Sequence, residues 1–318
     1  MKTSIIELKG LTKRYGSIHV VNHLNLNIHK GEIFGLLGPN GAGKTTTILM
    51  MLGLIEPTSG IAKVCGHNSI SNPIAVKSKV GYMPDNVGFY DHMTGLENLI
   101  YIGELNGLSS KESEKEALKL MQVVGLDKYL NSKTATYSRG MKQRLGLADV
   151  LIKQPEVIIM DEPTLGIDPS GVKDFLKLIK TLSRKHGLTV LLSSHHLNQV
   201  QKICDRVGIF VKGKLLAQGN IEQLSEQLFS QTSHQISITL DEPVKLTQEE
   251  ELKLLQLAKV EHIHKEGNQI LISCNKILTP NIVRFMVEQN YNITSVHQKT
   301  YGLEDIYQKY FENQHLNV

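Results

Sequence analysis

Cysteine is scarce in this 318-residue chain: Cys65, Cys204 and Cys274 are the only three, odd in number and far apart. That spacing excludes a disulfide framework and a C-x-x-C metal site, and it suits a reducing cytosol. Long apolar runs are missing as well. No stretch of about 18 or more apolar residues occurs, so no segment reads as a membrane-crossing helix. The opening residues Met1-Lys2-Thr3-Ser4-Ile5-Ile6-Glu7 lack the apolar centre of a secretory signal. Nor is there a marked excess of one charge. The net charge is +4 with acids and bases interleaved, which describes a solvated surface rather than a nucleic-acid-binding face. Sustained heptads are absent, and with them the long coiled coil they would build. What is left is an ordinary globular composition, 41% hydrophobic and 21% charged, at a length that suits about two domains.

The most informative stretch is Gly38-Pro39-Asn40-Gly41-Ala42-Gly43-Lys44-Thr45-Thr46, directly after the apolar run Ile33-Phe34-Gly35-Leu36-Leu37. Its G-x-x-x-x-G-K-T spacing between strand and helix is that of a turn cradling a nucleoside triphosphate. Glycines let successive backbone N–H groups converge on phosphate oxygens with no Cβ in the way. Lys44 is expected to bring positive charge to the β- and γ-phosphates, and the Thr45 hydroxyl to ligate Mg²⁺. A helix over 45–54 would aim its positive dipole end at the same anion. An ordinary glycine-rich βα turn is the bland alternative, and the filled lysine and threonine positions speak against it.

Around this stretch the hydrophobic pattern organises the chain. The segment before it alternates as strands do and ends in the polar turn His29-Lys30-Gly31. Glu56-Pro57-Thr58-Ser59-Gly60 reads as a loop, and 61–84 as short strands around a Gly66-His67-Asn68 turn. Thr94-Gly95-Leu96-Glu97 and Ser109-Ser110-Lys111-Glu112 are capping boxes, each announcing a helix. In the second helix Ala117, Leu120, Met121 and Val124 share a face and Gly125 stops it, so a helical subdomain is expected over about 90–152. Val157-Ile158-Ile159-Met160 and Leu188-Thr189-Val190-Leu191-Leu192 are continuous apolar runs, as strands buried on both faces require. Between them Val172, Phe175, Leu176 and Ile179 have helical spacing. Alternating strand and helix predict an α/β layered domain over 1–225.

A polar linker is expected over 226–234, and beyond it the pattern changes. Ile236, Ile238 and Leu240 alternate, and Thr247-Gln248-Glu249-Glu250 caps a helix carrying Leu252, Leu255 and, as a further candidate, Leu254. Glu266-Gly267-Asn268 turns between two strands, Thr279-Pro280 opens another helix, and 291–296 reads as a last strand. This β-α-β-β-α-β order predicts a small α+β, ferredoxin-like C-terminal domain over 235–318.

Binding a nucleotide is not cleaving it, and hydrolysis needs further groups. Asp161 ends an apolar strand, where its carboxylate can hold Mg²⁺ directly or through water. Glu162 follows, and the two carboxylates are expected to point apart, leaving Glu162 to orient or deprotonate a water near the γ-phosphate. Alone, the pair reads equally well as a solvated acidic strand end; beside the glycine-rich turn it does not. Tyr137-Ser138-Arg139-Gly140-Met141-Lys142-Gln143-Arg144 offers an anion a hydroxyl, a close-approach glycine and a helix N-terminus. Alone, it would read as a capping serine before a basic first turn.

Together these residues resemble an ATP-binding cassette (ABC) ATPase, the nucleotide-binding subunit of an ABC transporter, over about residues 4–225. Six motifs stand in the family's order. Tyr15 in Thr12-Lys13-Arg14-Tyr15-Gly16 matches the aromatic that stacks on adenine, and Gly38 to Thr46 is the P-loop. Ser138 to Gln143 resembles the signature, and Asp161-Glu162 closes the Walker B strand. Leu165-Gly166-Ile167-Asp168 resembles the D-loop, and His195 in Leu192-Ser193-Ser194-His195 matches the switch histidine. The resemblance implies a P-loop NTPase fold, with a RecA-like core, an antiparallel β subdomain and an α-helical subdomain, that hydrolyses ATP with Mg²⁺. It also implies that two cassettes pack head to tail, each ATP lying between one P-loop and the opposite signature. Ser138 and Gly140 would then bind the γ-phosphate held by the partner's Lys44, Asp168 of the D-loop would join the nucleotide-binding residues, and His195 would sense or polarise the phosphate.

The sequence departs from the family pattern at two places. The usual glutamine after Val80-Gly81-Tyr82-Met83-Pro84 is Asp85, still a hard oxygen donor for Mg²⁺ but one that adds negative charge. The signature carries Tyr137, Arg139 and Met141, a form that resembles the ABC-2-type exporter ATPases, as does the C-terminal Tyr301-Gly302-Leu303-Glu304-Asp305-Ile306-Tyr307. Within that group, Met83 to Tyr90 resembles the ATPase of nitrous-oxide reductase copper-site maturation. The expected function is therefore a transporter engine, cytoplasmic and peripheral on the inner face of the membrane, docking through 85–108 on a separate permease. A homodimer would have two competent sites, although pairing with a different cassette fits too. A soluble ABC-type ATPase acting on nucleic acid or ribosomes ranks below, because the cassette is single and uninterrupted; no nucleic-acid partner is expected. A non-hydrolysing ATP-gated module is disfavoured by Glu162 and His195.

Overall fold

Alternating burial shapes the start of the chain. β1 (Ser4–Tyr15) and β2 (Ile18–His29) pair antiparallel, with Leu24, Leu26 and Ile28 turned inward at the two-residue period of a strand and Val21 inward beyond a register shift. The computed structural model describes residues 3–229, 234–258, 260–274, 279–298 and 302–315. β3 (Ile33–Leu37) is buried throughout and leads through the P-loop into α1 (Lys44–Met51). β4 (Ser59–Val64) and β5 (His67–Asn68) complete a four-stranded antiparallel sheet in the order β2-β1-β4-β5.

The strands expected across 61–84 are interrupted by α2 (Pro73–Lys79), a helix the pattern hides. Proline at its first turn pre-sets the backbone, but Val76 is its only buried residue, so there is no apolar stripe to read. β6 (Val80–Met83) follows. The helical subdomain comprises α3 (Gly95–Leu105), α4 (Ser110–Val123) and α5 (Arg139–Leu151). Both capping boxes are closed: Thr94 and Ser109 accept from the N–H groups of Glu97 and Glu112, whose carboxylates accept in return. Each such cap contributes roughly 1 kcal/mol.

β7 (Val157–Asp161), α6 (Pro169–His186), β8 (Thr189–Ser194), α7 (Leu197–Val200), β9 (Arg206–Val211) and β10 (Lys214–Gly219) finish the first unit. The larger sheet runs β10-β9-β3-β8-β7-β6, parallel except for β10 at the edge. One core joins Ile6, Leu8 and Leu26 of the antiparallel sheet, Ile48 and Met51 of α1, and Phe34, Leu36, Ile159 and Leu191 of the larger sheet. Burying each such side chain is worth about 1.5–3 kcal/mol, and α1 is clamped between two sheets as a result. Among the described residues no helix is long and apolar enough to cross a membrane.

Contacts divide the chain into Met1–Asn220 and Ile221–Val318, so the second unit starts before the expected boundary at 225. The reason is α8 (Ile221–Phe229), where Ile221, Leu224 and Leu228 recur at helical spacing across the start of the expected linker. The linker's middle, 230–233, lies outside the described residues. β11 (His234–Leu240), α9 (Gln248–Ala258), β12 (Val260–Glu266), β13 (Gln269–Cys274), α10 (Thr279–Glu288), β14 (Ile293–Gln298) and α11 (Leu303–His315) follow. The four strands form an antiparallel sheet in the order β12-β13-β11-β14. Its core includes Ile236, Ile238, Ile270, Ile272, Ile282, Phe285 and Met286. In α9 the inward leucine is Leu254, fully buried, whereas Leu252 is 57% exposed, contrary to the sequence expectation. Tyr301 lies outside the described residues.

Candidate functional site

The P-loop is shaped by what backs it. Gly43 caps α1 in a left-handed conformation, φ +102°. A Cβ there would run into the Val20 carbonyl oxygen, and one at Gly38 into that of Phe210. Side chains are therefore excluded on the loop's inner side, leaving a bare backbone cradle of the kind a phosphate group fits. A further tie comes from the β9–β10 turn, where the Gly213 N–H donates to the Ala42 carbonyl at 2.9 Å and the Gly213 carbonyl accepts from Asn22 N–H at 2.8 Å. Lys44 Nζ is buried, donates to the carbonyls of Gly38 (2.7 Å) and Pro39 (3.2 Å), and lies 3.3 Å from Glu162 Oε1.

The acidic pair sits at the end of β7. Thr45 Oγ1 donates to Asp161 Oδ2 at 2.6 Å, and the Ser193 hydroxyl donates to Asp161 Oδ1. Glu162 takes a left-handed turn, φ +47°, while its N–H donates to Ser193. The consecutive carboxylates thereby reach different partners: Asp161 meets Thr45 and Ser193, and Glu162 lies near Lys44 and 2.9 Å from His195 Nδ1. Despite those ion-pair distances, neither Glu162 oxygen nor His195 Nδ1 makes a hydrogen bond of normal geometry. Buried polar atoms of this kind demand partners, and these line a cleft of about 440 Å³. Val20, residues 40–46, Asp85, Asp161, Leu165 and His195 form its other walls. The His196 ring centroid lies 3.9 Å from that of His195, the two rings tilted by 42°; burial, then the neighbouring His195, pushes its pKa down. Burial raises the Tyr82 phenol to about 12, with Asp161 and Asp85 adding to the rise.

The sequence-derived residues thus divide. The loop from Asn40 to Thr46, Asp161, Glu162, His195 and Asp85 share the cleft. Ser138, Gly140, Asp168 and Tyr15 do not line it. Ser138 caps α5, its hydroxyl accepting from Met141 N–H at 3.3 Å on an exposed surface. Gly140 lies one residue into the same helix. Asp168 caps α6, and the Ser170 hydroxyl and then the Gly171 N–H hold its carboxyl below the usual range. Tyr15 is 51% exposed at the end of β1, with the Lys13 ammonium 4.9 Å from its ring centroid. Two residues escaped the sequence reading. Ser193 stands beside Ser194 at the polar end of β8, and its partner Asp161 is fixed by parallel register with β7. Gln143, in the signature helix, reaches the Asp85 carbonyl at 3.4 Å.

The donor set fits both nucleotide and metal. A side-chain-free cradle with a buried lysine suits a polyphosphate, and Thr45 with Asp161 presents the hard oxygens a Mg²⁺ ion takes. Fold and site together define a P-loop nucleoside triphosphatase. Comparisons with known proteins place it more narrowly. A family profile described as "ABC transporter" matches residues 21–165. The chain is 40% identical to the bacitracin transport ATP-binding protein BcrA of Bacillus licheniformis, over 74% of this chain and 76% of that one. It is 34% identical to the uncharacterized ABC transporter ATP-binding protein YdbJ of Bacillus subtilis (strain 168), over 96% and 94%. Among solved structures it resembles the dimeric post-hydrolysis state of an ATP-binding cassette bound to ADP and phosphate. That match has a TM-score of 0.61 and 25% identity, covering 68% of this chain and 98% of the other. The chain belongs to the family of ABC transporter ATP-binding subunits, and it is an ATPase of that family.

Proposed function

We propose that this subunit hydrolyses ATP at the interface of two copies packed head to tail, and that closing and opening the pair drives an integral-membrane permease. The observation that carries the reading is a division of the anion-binding groups. Lys44, Glu162 and His195 meet at one cleft, while Ser138 and Gly140 begin a helix outside it. One chain therefore carries two half-sites, and a second copy would complete each. ATP favours the closed pair because its γ-phosphate touches both halves, and hydrolysis removes that differential contact.

The P-loop, residues 38–46, holds the phosphates, and Tyr15, outside the cleft, stacks on the base. Thr45 and Asp161, with Asp85 as a further oxygen donor, hold Mg²⁺, which when bound neutralises charge on the β- and γ-phosphates. Glu162 accepts the proton of a water whose oxygen bonds to the γ-phosphorus, and the bridging oxygen departs with ADP. His195, 2.9 Å from Glu162, orients that carboxylate and reaches the γ-phosphate. Asp168, capping α6 from the D-loop, lies against the partner copy. The form of the signature, together with relatives such as BcrA, supports an exporter of the ABC-2 type; those relatives' names concern bacitracin transport rather than copper-site maturation. Residues 235–318 serve as a ferredoxin-like accessory domain that braces the pair. The subunit works at the cytoplasmic membrane face through its permease.

The test is the mass of the assembly. Glu162→Gln with ATP and Mg²⁺ should run as a dimer by light scattering, and adding Ser138→Arg should return it to monomer. A dimer that persists in the double variant removes Ser138 from the interface.

A further inference from the structure

We infer that Ser193 is a positioning residue for hydrolysis, one hydroxyl that holds the metal-side and water-side carboxylates in fixed relation; this rests on the reading of the site just given. Ser193 is fully buried and stands opposite Asp161 in the register of β7 and β8. A hydroxyl has one proton to give and two lone pairs to receive. The Glu162 N–H takes a lone pair at 3.1 Å, and the proton goes to Asp161 Oδ1. Thr45 supplies the other carboxylate oxygen at 2.6 Å. Each Asp161 oxygen therefore has its own hydroxyl donor, and the plane of the carboxylate is set by protein groups.

The same serine fixes the next residue. Glu162 adopts φ +47°, uncommon for a residue with a side chain, and its N–H is shared between the Ser193 carbonyl at 3.2 Å and the Ser193 hydroxyl. That turn lets Glu162 approach Lys44 and His195 while Asp161 stays with Thr45. Ser193 lies between Leu192 and Ser194 in a fully buried strand, where an alanine would fill much of the same volume. The hydroxyl is accounted for by its two partners. Loss of such an outer partner to a metal-holding group typically lowers metal affinity or activity by about 10–100-fold.

The test compares Ser193→Ala with Ser193→Thr in the full chain, with Lys44→Ala and Glu162→Gln beside them. S193A should lower kcat by about 10–100-fold with KM for ATP moved by less than about threefold. It should also weaken binding of Mn²⁺ in the presence of a non-hydrolysable ATP analogue, read by electron paramagnetic resonance. S193T, which keeps the hydroxyl, should recover most of both losses. Thermal unfolding checks each variant's fold; should S193A not fold, Ser193→Cys, close in volume and a weaker donor, takes its place in the comparison. Wild-type kcat and Mn²⁺ affinity in S193A, or a loss that S193T leaves unrepaired, would overturn the role of Ser193. Wild-type turnover in E162Q would instead overturn the reading of the site, whatever Ser193 does.

Discussion

Among the described residues every buried polar or charged side chain, from Thr12 to Ser194, falls in the first unit, whereas the second closes around Ile236, Ile238, Ile270, Ile272 and Phe285. Some of that polarity is architectural: Asn98 and Thr134 donate to the carbonyl of Tyr90, beside the Met93 N–H that closes the turn there. Other buried polar groups serve the cleft: Lys44, Asp161 and Glu162 line it, and behind them Ser193 bonds to the Asp161 carboxylate and to the Glu162 N–H. An unsatisfied buried polar group costs about 1–3 kcal/mol, so a fold keeps such groups where they are partnered or used. The difference teaches where chemistry can reside. The second unit has a core suited to holding shape, and any recognition by it must come from its surface.

That contrast can be broken or sharpened in four ways. The largest effect is expected from Glu162→Gln, which should lower kcat by about 10²–10⁴-fold if the carboxylate accepts a proton; steady-state ATPase assays with Mg²⁺ read it directly. Lys44→Ala should abolish the rise in melting temperature that ATP gives the first unit. For ATP at a hundredfold its Kd that rise reflects about 2.7 kcal/mol, and calorimetry with and without nucleotide measures the loss. In the second unit, Ile270→Ala should cost about 2–5 kcal/mol in that unit's own stability through the cavity it leaves. The ATP-induced shift of the first unit should survive; if it vanishes, the two units are not separable in the way their cores suggest.

The smallest effect concerns pH. Burial raises the Asp149 carboxyl in α5 to about 6, against a partial lowering by Lys153. A carboxyl raised in the folded protein contributes stability below its ordinary range and loses that contribution as pH rises through about 6. Asp149→Asn should therefore increase the melting temperature more at pH 8 than at pH 5. Glu249 and Glu250 of the second unit shift the other way, held down mainly by Lys253 and by the Thr247 cap, respectively. An Asp149→Asn gain that is equal at both pH values would show that burial does not set this carboxyl's charge.

Local chemistry was legible and long-range register was not. Gly38 to Thr46 could be read because each position has a backbone or phosphate reason to be what it is. The caps at Thr94 and Ser109 could be read because serine or threonine and glutamate three residues on satisfy each other within one turn. α2 escaped because Val76 alone turns inward, and α8 because Ile221, Leu224 and Leu228 sit among polar residues that read as a tether. Leu254 could not be separated from Leu252 by spacing, since helix phase is set by what packs against it. Ser193 looked like an ordinary strand residue until β8 was laid beside β7.

The Gly213 turn links two places that the chain keeps far apart. Its carbonyl holds the first hairpin at Asn22, and its N–H holds the phosphate loop at Ala42. Slack in that turn has two outlets, one in the antiparallel sheet that carries Val20 and Tyr15 and one in the loop itself. Wear at an inconspicuous hairpin bend would therefore surface as poor fuel uptake, with the residues that grip the fuel all intact.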